Sequence, residues 1–265
     1  MKIRTLLVLA ILAFVSCTNK YKDSNRFVKI ITDEGDIIVR LYNETPKHTE
    51  NFIKLTEQKF FDDLIFHRVI KDFVVQGGDP ETRNAEPGKL YGEKDAGYLV
   101  DAEIIDTIYH KRGVIAMARE GDDVNPEKKS SSSQFYLVVG KLYTNDELNN
   151  LEVKLNKKLR EKIEKNLYDS LLSKLNNPDS KFLNQITQKV SILADSIMNI
   201  KRIKFNDKQR SIYTTLGGIP HLDGNYTVFG EIVEGYDVVE KISQVQTDSN
   251  DRPVKDIKFK VRIVK

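Results

Sequence analysis

Phe66-His-Arg-Val-Ile-Lys-Asp-Phe-Val-Val-Gln-Gly-Gly-Asp79 mixes strand-like hydrophobics with polar groups set among them. Side chains of a half-buried strand alternate between faces, which predicts Phe66, Arg68 and Ile70 on one face and His67 and Val69 on the other. Arg68 then sits among apolar neighbours. Phe73 and Gln76 bracket a second apolar run, and Gly77-Gly78 frees the backbone for a tight turn or a close approach. An arginine beside an aromatic and a glutamine forms a charged, hydrogen-bonded spot on an apolar floor. Composition alone favours a plainer reading, a surface arginine on a barrel strand.

The order of these residues resembles the signature of the cyclophilin family of peptidyl-prolyl isomerases. Residues 113–118 and 133–138 are similar to the strands that flank the family's substrate groove, and Gly-Gly-Ile-Pro-His-Leu-Asp-Gly-Asn-Tyr-Thr-Val-Phe-Gly at 217–230 to its last large block. The resemblance implies a mainly β fold, a closed antiparallel barrel of about eight strands capped by two helices. It implies that Arg68 is the catalytic arginine, that Gln76 orients it, and that Phe73, Val74, Tyr136 and Leu222 form the proline pocket. Ala118, Arg119 and Gln134 match the stretch that binds substrate backbone; His67 and Tyr226 match further lining positions. Some positions depart from the family. Val74 and Tyr136 stand where methionine and phenylalanine are frequent, and Arg119 where the better-known eukaryotic pattern has asparagine. His221 replaces a tryptophan associated with cyclosporin binding, which predicts weak sensitivity to that inhibitor.

Lys2 and Arg4 precede an apolar run at 6–15, the design of a secretory signal and too short to span a bilayer. The run ends at Cys17, the single cysteine of the chain, so no internal disulfide can form. Phe-Val-Ser-Cys at 14–17 resembles the lipobox of bacterial lipoproteins, although that motif prefers leucine where Phe14 stands. The expectation is a signal peptide at 1–16, a lipidated Cys17, and a polar tether at 17–26. Lipid-anchored residence in a bacterial cell envelope, facing the periplasm or the cell surface, follows from it. A plain secretory signal with a free thiol is the competing reading.

The remainder reads as one isomerase domain, residues 27–140 and 215–265, interrupted by a helical insertion at 141–214. Residues 27–32 and 36–42 form a hairpin across Asp33-Glu-Gly35, and Thr45-Pro46 starts a helix, with threonine as cap and His48 on its outer surface. The serine run that ends the polar stretch 119–133 reads as loop. Within the insertion, Thr144-Asn-Asp-Glu147 is a capping box before leucines spaced mostly by four. Asn176-Asn-Pro178 breaks that helix. A second follows, with Phe182, Ile186, Val190, Leu193, Ile197 and Ile200 on one face, then a short segment at 207–213.

The chain carries 42 Lys and Arg against 39 Asp and Glu, a net +3 that by itself points to no partner. The insertion is the basic part, with 15 Lys and Arg against 9 Asp and Glu over 141–213. Solvated helix faces explain that balance most simply. Nucleic acid is disfavoured, because the few aromatics are not interleaved with the basic residues as stacking platforms. No metal or cofactor is expected: the four histidines, at 48, 67, 110 and 221, lack ligand spacing. Oligomeric state is left open. Proline-containing polypeptides are the expected clients of an isomerase that assists exported proteins. The alternative is a proline-segment binding module with little turnover that recruits partners through the arm.

Overall fold

The computed structural model describes residues 26–173 and 180–264. The expected leader, Cys17, the tether up to residue 25 and the break at 176–178 lie outside the described residues.

The elements in chain order are β1 (Phe27–Thr32), β2 (Gly35–Leu41), α1 (Pro46–Glu57), β3 (Leu64–Ile70), β4 (Val74–Gly77), β5 (Leu99–Val100), β6 (Val114–Met117), β7 (Ser130–Ser131), β8 (Phe135–Val138), α2 (Asn145–Leu172), α3 (Ser180–Lys201), α4 (Asp207–Thr215), β9 (Val228–Glu234), α5 (Tyr236–Ser243) and β10 (Lys258–Ile263). Eight strands close a barrel in the order β1-β10-β3-β4-β8-β6-β9-β2, every neighbouring pair antiparallel. Closure leaves no barrel edge open to pairing. The interior holds Ile30, Val39, Phe66, Ile115, Phe135, Leu137, Phe229 and Phe259. Phe52 of α1 and Val239 and Ile242 of α5 plug into the same core. Phe135 meets Phe52, Phe61 and Phe259 edge-on at 5.5–5.9 Å, arrangements worth about 0.5–1.5 kcal/mol each beyond burial.

β4, β6 and β8 read as almost unbroken apolar runs because both their faces are covered. Phe135 and Leu137 point into the barrel. Tyr136 and Val138 point out and, with Val74, Val114, Ala116, Ile219 and Val228, make a second apolar cluster on the outer wall. That cluster is the floor of the groove described below.

Local structure differs from the sequence expectation in four places. The register of β3 against β4 shifts between Phe66 and Arg68, so strict alternation fails. Phe66 and Val69 both enter the core, and Arg68 no longer shares a face with Phe66. At α1 the Thr45 hydroxyl makes no cap. The Glu103 carboxylate instead accepts from the Lys47 and His48 N–H groups at 3.1 and 3.0 Å, a negative charge at the positive helix end. His48 is therefore buried rather than on the surface, with Nδ1 2.7 Å from Glu103 and Nε2 3.0 Å from the Ser130 hydroxyl. Burial lowers its pKa against the opposing pull of Glu103. The serine run is also buried: Ser130 and Ser131 pair with Val100 and Leu99, and Ser133 donates to the Gly78 carbonyl at 2.8 Å.

In the arm, α2 begins with both halves of the Thr144–Glu147 capping box, and α4 has an equivalent box from Asn206 and Gln209. α3 buries Ile186, Val190 and Ala194, at a spacing of four. Phe182, Leu193 and Ile200 of the expected stripe lie exposed, because a stripe stepping by three and four is wider than the single neighbouring helix can cover. Leu148, Phe205 and Tyr213 pack with Tyr109 to root the arm on the barrel. The arm departs at Lys141 and returns at Gly218. There the backbones exchange hydrogen bonds of 3.3 and 3.0 Å, and a Cβ on Gly218 would lie 2.2 Å from the His110 carbonyl oxygen.

Candidate active site

The bulge in β3 has a chemical consequence. By breaking alternation it lets two consecutive residues, His67 and Arg68, line one cavity of about 280 Å³ on the outer wall. Phe73, Val74, Gln76, Ala118, Arg119, Tyr136, Leu222 and Tyr226 line it with them. Ten residues singled out from the sequence are thus brought together from β3, the turn into β4, β4 itself, the loop after β6, β8 and the segment after the arm.

Arg68 stands at the rim, half exposed, its guanidinium 5.9 Å above the Phe73 ring. Its Nη1 donates to Gln76 Oε1 at a long 3.4 Å, and its Nε lies 3.6 Å from Asp251. Gln76 in turn donates to Gln134 Oε1 at 3.2 Å, and Gln134 donates to the Gly92 and Lys94 carbonyls at 2.9 and 2.8 Å. The result is a polar line tied to the loop backbone at one end and to a guanidinium at the other. Gln134 itself lines a larger adjoining cavity of about 600 Å³, which shares Gln76, Ala118 and Arg119.

His67 is buried, and neither ring nitrogen has a protein partner. Desolvation pushes its pKa down to about 4 against the opposing pull of Asp79, with smaller contributions from Arg68 and Arg252, so the ring is neutral at pH 7. Arg119 is less available than the sequence suggests. Its side chain is 5% exposed, stacks on Tyr226 at 4.8 Å, and gives its N–H groups to the Asn225 and Glu120 carbonyls and to Asp122. It presents a fixed wall rather than a free donor. His221 lies outside the 280 Å³ cavity. It stacks nearly parallel to Phe73 at 5.9 Å and lines a separate cavity against the arm root. Burial lowers its pKa.

Sequence reasoning missed Tyr91 and Gly92, which close the cavity from the loop side, and the pair beneath Tyr136. The Tyr136 hydroxyl faces away from the pocket, 3.1 Å from His110 Nε2, and His110 Nδ1 is 3.1 Å from Asp223. Asp223 was within reach, since it directly follows Leu222 in the 217–230 block. Among the described residues no group of three or more His, Cys, Asp or Glu is gathered to hold a metal ion, and no helix is long and apolar enough to cross a membrane.

The fold and site together are thus a closed antiparallel barrel with a guanidinium at the rim of a cavity on its outer wall. The family model described as cyclophilin type peptidyl-prolyl cis-trans isomerase/CLD matches residues 27–167 and 174–263, and the chain belongs to that family. A peptidyl-prolyl cis-trans isomerase of Schizosaccharomyces pombe is 27% identical over 234 residues, 88% of this chain and 94% of that protein. A Streptococcus pyogenes protein named as a bifunctional phosphatase/peptidyl-prolyl cis-trans isomerase is 27% identical over 233 residues, and the chain spans 37% of its length. A Cryptosporidium parvum cyclophilin shares the fold with TM-score 0.54 at 21% identity, covering 91% of this chain and 98% of that one.

Proposed function

We propose that this cyclophilin-family chain isomerises X-Pro bonds of exported polypeptides by holding the proline ring in the pocket of Phe73, Tyr136 and Leu222 while Arg68 acts on the turning amide. The observation that carries this is the guanidinium of Arg68, tethered by Gln76 at the rim of a cavity of about 280 Å³ that Phe73, Val74, Tyr136 and Leu222 line on its apolar side. The amide barrier, about 18–20 kcal/mol, reflects resonance between nitrogen and carbonyl. As the bond twists, the proline nitrogen regains its lone pair, and a cationic donor then favours the twisted form over the planar one.

A hydrogen bond from a charged group is worth about 1.5–3 kcal/mol, whereas an acceleration of about five powers of ten needs roughly 7. The difference falls to pre-organisation: a pocket that fixes the ring and excludes water while the preceding carbonyl rotates. The long Gln76 contact suits this division of labour, since such bonds tighten when substrate is bound. A Cryptosporidium parvum relative was crystallised in the presence of the dipeptide Ala-Pro, a ligand of the class this pocket would take.

The clients would be envelope proteins, with Cys17 acylated and the domain held at a membrane. Two acyl chains give stable anchoring where one is marginal, at about 0.8 kcal/mol per buried methylene. The arm would contribute to client binding, because its root lies beside the pocket and Lys162 of α2 reaches Asp122, which holds Arg119. Acceleration of proline-tetrapeptide isomerisation by the full chain tests the enzyme reading, and a rate no faster than buffer rejects it. Labelling with radioactive fatty acid, lost on Cys17→Ala, tests the anchor.

A further inference from the structure

Behind the groove the arm's root helix meets a buried polar chain. Asp223 Oδ2 accepts from the Tyr213 hydroxyl at 2.7 Å and from Gln209 Nε2 at 3.0 Å, both residues of α4. Its Oδ1 accepts from the His110 backbone N–H at 2.8 Å and faces His110 Nδ1 at 3.1 Å. His110 Nε2 then meets the Tyr136 hydroxyl at 3.1 Å, and the two rings lie nearly parallel, 6.2 Å apart. We propose that Tyr213 and Gln209 of the insertion are positioning residues for the proline pocket, acting through Asp223 and His110 on the Tyr136 hydroxyl. The inference rests on the isomerase reading of that pocket.

The direction of each bond follows from chemistry. A carboxylate accepts, so the imidazole tautomer that suits Asp223 carries its proton on Nδ1 and leaves Nε2 of His110 as an acceptor. The Tyr136 hydroxyl therefore donates backward, into the fold. Its hydrogen points out of the pocket, and the proline ring meets only the aromatic carbons. This is how a tyrosine serves where the family often has phenylalanine. His110 is 1% and Asp223 12% exposed, so solvent does little to replace a lost donor. Without Tyr213 and Gln209, Asp223 loses both donors to Oδ2 and is free to turn. The imidazole then loses its fixed tautomer, and the Tyr136 hydroxyl can swing into the pocket, where a proline ring cannot satisfy it.

A double-mutant cycle on the full chain separates positioning from mere support, using Tyr213→Phe, Tyr136→Phe and the pair, with isomerisation of a proline tetrapeptide followed by exchange NMR. Tyr213→Phe should raise KM about threefold to tenfold, the scale of one buried hydrogen bond, with kcat changed less than about twofold. In the Tyr136→Phe background the same substitution should change KM less than about twofold, because the hydroxyl it positions is gone. Equal losses in both backgrounds would mean that Tyr213 only holds the fold, and would overturn the proposal. Should Tyr213→Phe fail to fold, Gln209→Met repeats the cycle, since it removes the donor to Asp223 at similar side-chain length, and the loss of the α4 cap it also brings is common to both Tyr136 backgrounds. The imidazole nitrogen shifts of His110 give a readout independent of turnover. They should move in Tyr213→Phe, and unchanged shifts overturn the relay even if the wild-type chain proves inactive, a result that would separately defeat the isomerase reading.

Discussion

Replacing Arg68 with alanine isolates the charged donor from the pocket around it. The side chain contributes little to the folded ground state. Its bond to Gln76 is long, and its ion pair with Asp251 at 3.6 Å joins groups 40% and 46% exposed, where screening leaves little net energy. Folding stability should therefore change by no more than about 0.5 kcal/mol. Catalysis should respond much more, because the donor acts on a nitrogen lone pair that exists only in the twisted amide. At about 1.36 kcal/mol per decade, a charged hydrogen bond of about 1.5–3 kcal/mol amounts to roughly a 10- to 150-fold fall in kcat/KM, carried mainly by kcat. Arg68→Lys keeps the charge but not the planar fork, and should fall nearer to alanine than to wild type. Exchange NMR on a proline tetrapeptide, with chemical denaturation as control for folding, measures both quantities. A kcat/KM within about twofold of wild type, less than one charged hydrogen bond supplies, would refute the role assigned to Arg68.

Three further outcomes are expected. The pKa of His67 is lowered to about 4 in the fold against about 6.5 unfolded, so the unfolded state binds the extra proton; stability is complete above about 6.5 and falls by about 3 kcal/mol as pH drops toward 4. Urea unfolding of His67→Phe should show a smaller acid loss than wild type, and equal slopes would show that His67 does not titrate this way. Cyclosporin should inhibit weakly, because His221 lies flat against Phe73 where the family's better-known members carry tryptophan; a sub-micromolar inhibition constant would contradict this. Shortening the arm between Lys157 and Ile200, with α4 left in place, should slow refolding of a proline-limited client protein more than tetrapeptide turnover, and equal effects would remove the arm from client binding.

The groove was legible in sequence because Arg68, Phe73, Val74 and Gln76 fall within a few residues of each other, on strands whose pattern is local. Tyr136 and Leu222 came from resemblance, since 86 residues and the whole arm separate them. What stayed hidden depends on partners far along the chain. His48 is buried by a carboxylate 55 residues later, and the serine run by its contacts with the loop after β4. Arg119 is tied up by a carbonyl 106 residues away. The β3 bulge is hidden for another reason: inserting one residue into a register leaves no mark on hydrophobic alternation until the partner strand is known. Helix starts in the arm are legible by contrast, because a capping box is complete within four residues. Which leucines those helices bury is not, since that depends on how much surface the neighbouring helix offers.

The pinch where Lys141 meets Gly218 sets how the barrel experiences everything between them. The cost of closing a loop grows only with the logarithm of its length, about 0.6 kcal/mol per doubling, once the two ends are held together. Here the ends are clamped by two backbone hydrogen bonds, with Gly218 packed too tightly for a side chain. The barrel is therefore nearly indifferent to how long the outer arm is, and its reach can be lengthened, trimmed or resurfaced without disturbing a single strand pairing. The root lacks that freedom: α4 holds the carboxylate beneath the pocket, and Leu148 of α2 packs against the barrel.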